Sequence, residues 1–99
     1  MTVRFLAEAE AELADGVAYY DRLLPGLGTE FALEVRDGLA RVEEYPMAWQ
    51  LLGRRVRRYR LSRFPYGLVY ADLPSEIVVL AVMHLHRRPD YWRERLTQI

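Results

Sequence analysis

The chain has 99 residues, which is enough for one domain with a single hydrophobic core and too few for two, so we expect one domain over residues 1–99. Hydrophobic residues make up 52% and charged residues 28%, which excludes a disordered chain, and the absence of cysteine excludes disulfides, cysteine-ligated metal centres and thiol nucleophiles. The net charge is zero, but residues 1–50 carry −6 (4 Arg, 10 Asp and Glu) and residues 51–99 carry +6 (10 Arg, 4 Asp and Glu).

The first half of the chain predicts a short strand and two helices. Residues 1–5 alternate weakly between apolar and polar side chains, as in a strand. Apolar residues then recur at intervals of three or four from Leu6 to Leu24 and again from Phe31 to Val42, which indicates two amphipathic helices. Thr29 is the expected N-cap of the second helix, and Pro46 is expected to end it. The short Pro- and Gly-containing turn between the helices predicts that they are antiparallel.

The second half predicts three antiparallel strands and a short final helix. The predicted strands are residues 54–64, 66–72 and 77–85. The last of them is apolar on both faces and is therefore expected to lie in the centre of the sheet. After Pro89, a helical turn is expected to pair Trp92 with Leu96.

Helices followed by strands indicate an α+β domain. We expect an N-terminal strand and an antiparallel helical hairpin packed on a small antiparallel β-sheet, followed by a short C-terminal helix. The acidic half of the chain forms most of the helical layer and the basic half forms most of the sheet. One surface of the sheet should therefore be positive and open to a negatively charged partner.

A run of arginines stands at the beginning of the predicted sheet. Six arginines occupy ten residues: Arg54, Arg55, Arg57, Arg58, Arg60 and Arg63. On a strand, Arg58 and Arg60 project from the same face, where their mutual repulsion favours a nearby polyanion or acidic protein segment. Two structural alternatives stay open, namely charge that protects an edge strand and pairing with the acidic helices.

Histidines, arginines and aromatic residues are concentrated after the last predicted strand. His84 and His86 should point the same way, but no convincing third ligand accompanies them, so we predict no metal. General acid–base chemistry and two ordinary imidazoles are both open. Tyr91 and Trp92 follow the arginine pair 87–88, which suits stacking on RNA bases or a protein hot spot, whereas Trp92 alternatively anchors the tail to the core.

Two stretches of the second half, RRYRLSRFPYGLVY (57–70) and IVVLAVMHLHRRPDYW (77–92), resemble the RelE/ParE family of toxins from bacterial type II toxin–antitoxin modules. The tyrosine pair 19–20 followed by LxxGLGxxF resembles the same family. The resemblance implies two helices against a small antiparallel sheet. It also implies a cytoplasmic toxin without cofactor or membrane segment, whose partner is a cognate antitoxin with a disordered segment that wraps the toxin.

The family divides by target. RelE-like members cut mRNA on the ribosome without metal, using Arg and Lys to hold the phosphate and Tyr, sometimes with His or Glu, to assist attack. ParE-like members inhibit DNA gyrase by binding it. The absence of Lys and the zero net charge favour the ParE-like branch for this chain. The ribosome-dependent RNase is the alternative, and a non-toxic or degenerate binding module is a third interpretation.

Each interpretation has its own set of residues. In the ParE-like interpretation no residue is catalytic, and the docking residues are Arg55, Arg58, Arg60, Arg63, Arg87, Arg88, Tyr91 and Trp92. In the RNase interpretation the resemblance implies a catalytic set of Arg60, Arg63, His84, Arg87 and Tyr91.

Overall fold

The structure is a computed structural model that describes residues 2–99. In chain order the elements are β1 (Thr2–Phe5), α1 (Ala7–Leu23), α2 (Leu27–Glu44), β2 (Gln50–Gly53), β3 (Val56–Arg60), β4 (Tyr66–Asp72), β5 (Glu76–His84) and a C-terminal 3₁₀ helix (Arg93–Gln98). The predicted α+β architecture is confirmed. Met1, which the first predicted strand included, lies outside the described residues.

The five strands form one sheet in the order β1-β5-β4-β3-β2. The pairs β2–β3, β3–β4 and β4–β5 are antiparallel, as expected. The sheet is nevertheless mixed, because β1 lies parallel to β5, with Thr2 opposite Glu76 and Phe5 opposite Val79. The central position of β5, between β1 and β4, is confirmed. β2 was not predicted, because its residues, QLLG, do not alternate between polar and apolar side chains.

The two helices form an antiparallel hairpin, because contacts run in opposite directions along them. Asp21, late in α1, meets Gly28 at the start of α2, whereas Gly16, earlier in α1, meets Phe31, later in α2. The predicted N-cap at Thr29 is wrong: α2 begins at Leu27. In place of a cap from its own first residues, α2 uses the carboxylate of Asp21 in α1, which accepts hydrogen bonds from the backbone N–H groups of residues 26 and 28 at 3.2 and 2.8 Å.

Both faces of the sheet are covered. The helices pack on one face, where Phe31 and Val35 meet Leu68 and Val82. The C-terminal segment packs on the opposite face, where Trp92 joins a cluster that contains Val56, Val69, Leu80 and Met83. The segment ends in a 3₁₀ helix rather than the expected α-helical turn. Because this segment occupies much of the second face, the expected open sheet surface is largely covered, and the exposed arginines of β3 and of the turn that connects it to β2 lie at one end of the sheet.

Within residues 2–99, no helix combines the length and apolar character that a membrane crossing requires.

Candidate functional site

The β2–β3 hairpin, residues 50–60, carries five arginines and is called the arginine hairpin below. Arg54 and Arg55 form its two-residue turn, in which Arg55 has a left-handed backbone with φ of 60°. Arg54, Arg55 and Arg60 are exposed, whereas Arg57 and Arg58 are half-buried. The turn lies at the β2–β3 end of the sheet, and both of its arginines are exposed.

Two arginines of this hairpin donate to neutral acceptors. Arg57 donates to the carbonyl oxygen of Trp49 at 2.8 Å, and Arg58 donates to the side-chain oxygen of Gln50 at 2.8 Å. Within the described range 2–99, none of the five forms an ion pair with a carboxylate. Partial burial, with the neighbouring charge of Arg60, lowers the pKa of Arg58, and its buried Nε has no hydrogen-bond acceptor. The hairpin therefore keeps an uncompensated positive charge.

Arg63 behaves differently from the hairpin arginines. Its guanidinium pairs with Glu30 of α2 at 2.7 Å, and its backbone N–H donates to the carboxylate of Glu34 at 3.0 Å. The hydrogen bond to Glu30 raises the pKa of Arg63. The loop after β3 is thus attached to the acidic helix, and the Arg63 side chain is already bound to an internal carboxylate.

The carboxylate of Glu12 in α1 is the centre of a second charged group, called the Glu12 cluster. One oxygen of Glu12 accepts from the Val82 N–H at 3.0 Å and from Arg95 at 2.9 Å. The other accepts from the Tyr91 hydroxyl at 2.7 Å and again from Arg95 at 2.9 Å. The side chains of Glu12 and Arg95 are only 13% and 15% exposed, so the ion pair is largely removed from water.

The end of β1 explains the position of this cluster. β1 stops at Phe5, opposite Val79, so β5 continues without a neighbour on that side. The Val82 N–H binds Glu12 instead, and the Leu80 carbonyl oxygen accepts from Arg95 at 2.9 Å. Buried backbone groups require such partners. The sequence analysis missed Glu12 and Arg95; the available signal was a carboxylate bordering the apolar stripe of the first helix.

Tyr91 is held by the Glu12 cluster. Burial, followed by the hydrogen bond to Glu12, raises its pKa far above the ordinary value for tyrosine. The Arg87 guanidinium stacks on the Tyr91 ring, with its carbon Cζ 3.9 Å from the ring centroid. Nη1 of Arg87 lies 3.8 Å from Oε2 of Glu12. The Tyr91 hydroxyl proton is therefore directed at an internal carboxylate.

The two histidines lie beside each other at the end of β5. The backbone N–H of His86 donates to Nδ1 of His84 at 3.1 Å, and the His84 ring also contacts Tyr66, with centroids 5.0 Å apart. Partial burial and the neighbouring His86 lower the pKa of His84. In the part of the chain that the structure describes, no three His, Asp or Glu side chains converge on a possible metal position.

The residues of the RNase interpretation are divided between clefts. Arg87 and His84 line one of about 320 Å³ between α1 and β5, next to Glu12. Arg60 and Arg63 line another of about 550 Å³ beside the β3–β4 loop. A phosphate bound in either cleft would therefore meet only part of the set.

The last two docking candidates have contrasting positions. The Arg88 side chain is 79% exposed and lies 3.2 Å from Asp90. Trp92 is 1% exposed, and its indole N–H donates to the carbonyl oxygen of Pro89 at 2.8 Å. The structure therefore places Trp92 in the core, where a docked partner would not reach it.

An apolar groove of about 510 Å³ runs along α1 beside β1. It is lined by Phe5, Glu10, Leu13, Ala14, Val17 and Ala18. β1 is an edge strand, and β2 is the edge on the opposite side of the sheet. The groove and the arginine hairpin are therefore separate surfaces at opposite sides of the molecule.

Comparison with known proteins gives a family match in sequence and similarity to solved structures. Residues 3–89 match the family described as "ParE toxin of type II toxin-antitoxin system, parDE". No curated protein sequence matches the chain. Among solved structures, the chain is similar to a chromosomal ParDE toxin–antitoxin system from P. aeruginosa, with a TM-score of 0.77 and 18% identity over 87% of this chain and 97% of that chain. At this identity, the structural similarity shows the fold.

Proposed function

Because this chain belongs to the ParE toxin family of type II toxin–antitoxin systems, we propose that it inhibits DNA gyrase by binding it in the cytoplasm, and that a cognate antitoxin neutralises it. The inhibition requires no chemistry by the chain. The observation that carries this proposal is the contrast between Tyr91, whose hydroxyl is bound to Glu12, and the arginine hairpin, which has no carboxylate ion-pair partner among residues 2–99.

The state of Tyr91 argues against the RNase alternative. A general base must release its proton near the working pH and must lie within reach of the substrate. The raised pKa of Tyr91 keeps the hydroxyl protonated, and the hydroxyl donates its hydrogen bond to Glu12 within the protein. The phosphate-binding arginines would also have to act from separate clefts. These features support a protein that binds rather than cleaves.

The two separate surfaces suit two partners. The arginine hairpin offers exposed, uncompensated positive charge to gyrase, and charge complementarity accelerates and orients such an encounter. The apolar groove beside β1 suits apolar anchors of an antitoxin segment that orders on binding. Neutralisation in this arrangement would follow from a wrapping antitoxin that extends from the groove and blocks access to the hairpin.

An assay of gyrase supercoiling tests the proposal. The purified chain should prevent gyrase from supercoiling relaxed plasmid DNA, and the Tyr91→Phe variant should do so with a potency within about threefold of the wild type. The cognate antitoxin should restore supercoiling. In a defined translation system, the same protein should leave the mRNA intact.

Two results would contradict the proposal. Site-specific mRNA cleavage that Tyr91→Phe or Arg60→Ala abolishes would establish the ribosome-dependent RNase. If a protein that melts cooperatively neither inhibits gyrase nor cleaves mRNA, the non-toxic binding module is the interpretation that remains.

A further inference from the structure

We propose that the outer edge of β2 receives an extended, acidic segment of the target protein as an additional strand of the sheet. This inference rests on the proposed function and specifies how the arginine hairpin recognises its target. In this arrangement the backbone of β2 and the apolar side chains at its edge bind the target segment, in addition to the charge of the arginine hairpin.

The first observation is that β2 ends the sheet. On its inner side β2 pairs with β3, and no described strand lies on its outer side. An unpaired strand edge presents a row of backbone donors and acceptors that an extended polypeptide can bind. The pairing with β3 shifts between Leu51 and Gly53, so the regular part of the edge comprises the residues before this irregularity.

The second observation is an apolar centre at this edge. Leu51 is 58% exposed, and Met47, in the turn before β2, is 71% exposed. They line a cleft of about 380 Å³ together with Arg55, Arg57 and Asp72. Met and Arg are enriched at protein–protein interfaces relative to the rest of the surface.

The third observation is the charge around the centre. Arg55 and Arg57 line the cleft, and Arg58 lies on the opposite face of the same hairpin, with an unpartnered Nε. Asp72 is the one carboxylate lining the cleft and forms no ion pair within the span 2–99. The surroundings of the edge are therefore positive, which selects a segment with acidic side chains.

A polypeptide fits these features better than a nucleic acid. A phosphate backbone would satisfy the guanidinium groups, but it would place its charges against Leu51 and Met47 and would leave the strand edge unpaired. The net charge of the chain is zero, so the molecule as a whole adds no long-range attraction for a nucleic acid. An extended acidic segment pairs with the strand edge, covers the apolar centre and neutralises the arginines.

The test compares two edge variants with two matched controls in the supercoiling assay and in direct binding to purified gyrase. Leu51→Asp and Arg55→Glu should each weaken inhibition and binding by at least about tenfold. The controls Leu33→Asp and Arg36→Glu make the same changes at exposed positions of α2. Their inhibition of gyrase and their binding to it should stay within about threefold of the wild type. Met47→Asp, outside any strand, repeats the test if Leu51→Asp lowers the melting temperature.

Hydrogen exchange distinguishes strand addition from side-chain docking. Backbone amides of residues 47–55 should exchange more slowly when gyrase is bound, because an added strand accepts or shields their protons. Unchanged exchange there, or edge variants as potent as the controls, would overturn the inference while gyrase inhibition by the wild type stands. Equal protection by plasmid DNA without gyrase would also overturn it, and failure of the wild type to inhibit gyrase would remove the proposed function itself.

Discussion

At the scale of single residues, Glu12 joins three separate parts of the chain. Its carboxylate in α1 binds the backbone of β5 and two side chains of the C-terminal segment. Burying an ion pair costs solvation energy, and the pair is tolerated when every remaining donor and acceptor is satisfied. Here each oxygen of Glu12 accepts two hydrogen bonds, and Arg95 also donates a hydrogen bond to the Leu80 carbonyl oxygen.

Replacing this carboxylate should therefore be costly. Glu12→Gln keeps the shape but removes the charge that compensates Arg95, and we expect it to lower the free energy of unfolding by about 3 kcal/mol. Asp37→Asn disrupts an exposed ion pair with Arg36 and should cost less than about 1 kcal/mol. Urea denaturation at pH 7 measures both. Equal effects would mean that the Glu12 cluster contributes no more than a surface pair.

Tyr70 gives the fold a dependence on alkaline pH. It is fully buried under the helical layer, its hydroxyl donates to the Pro46 carbonyl oxygen at 2.6 Å, and burial raises its pKa to about 12. Because the pKa in the folded protein lies above the ordinary value of 10, the contribution of Tyr70 to stability is complete below pH 10. It is lost as the pH rises towards 12.

Denaturation measured between pH 7 and pH 11.5 tests this contribution. The free energy of unfolding of the wild type should fall above pH 10, and that of Tyr70→Phe should fall less steeply. At pH 7 the variant should be less stable by about 1 kcal/mol, since it loses one hydrogen bond. Parallel curves for the two proteins would show that the Tyr70 hydroxyl does not titrate with folding.

At the scale of elements, the helical hairpin depends on a close approach at Gly28. A side-chain carbon there would overlap the backbone carbonyl oxygen of Val17 and lie 2.7 Å from the Asp21 carboxylate carbon. The same carboxylate caps α2 through the N–H of Gly28. The absence of a side chain at residue 28 thus allows α1 to supply the cap that α2 lacks in its own sequence.

Adding one methyl group at this position should separate the helices. We expect Gly28→Ala to lower the free energy of unfolding by about 2 kcal/mol, because the obstacle is backbone, which cannot change rotamer. Gly53→Ala is the control: its added carbon has no atom within 4 Å, so the change should stay below about 1 kcal/mol. Thermal or chemical denaturation measures both, and a Gly28→Ala protein as stable as the control would contradict the close contact.

At the scale of the whole molecule, the division of charge along the chain is only partly cancelled by folding. Arg63 and Arg95 from the basic half pair with Glu30 and Glu12 from the acidic half. The arginine hairpin forms no such pairs within residues 2–99. Internal pairing and an accessible positive surface therefore coexist in the same molecule.

The sequence by itself determined the α+β class, the two helices, the central apolar strand and the family resemblance, and all four are confirmed. These features depend on local periodicity and on motifs, both of which involve residues that are close together in the sequence. Only the tertiary structure decided that β1 lies parallel to β5, that Trp92 is core, that Glu12 receives Tyr91 and Arg95, and that β2 exists and leaves an edge free. Each of these depends on contacts between residues far apart in the sequence, or on a strand whose residues do not alternate, so local spacing does not predict them.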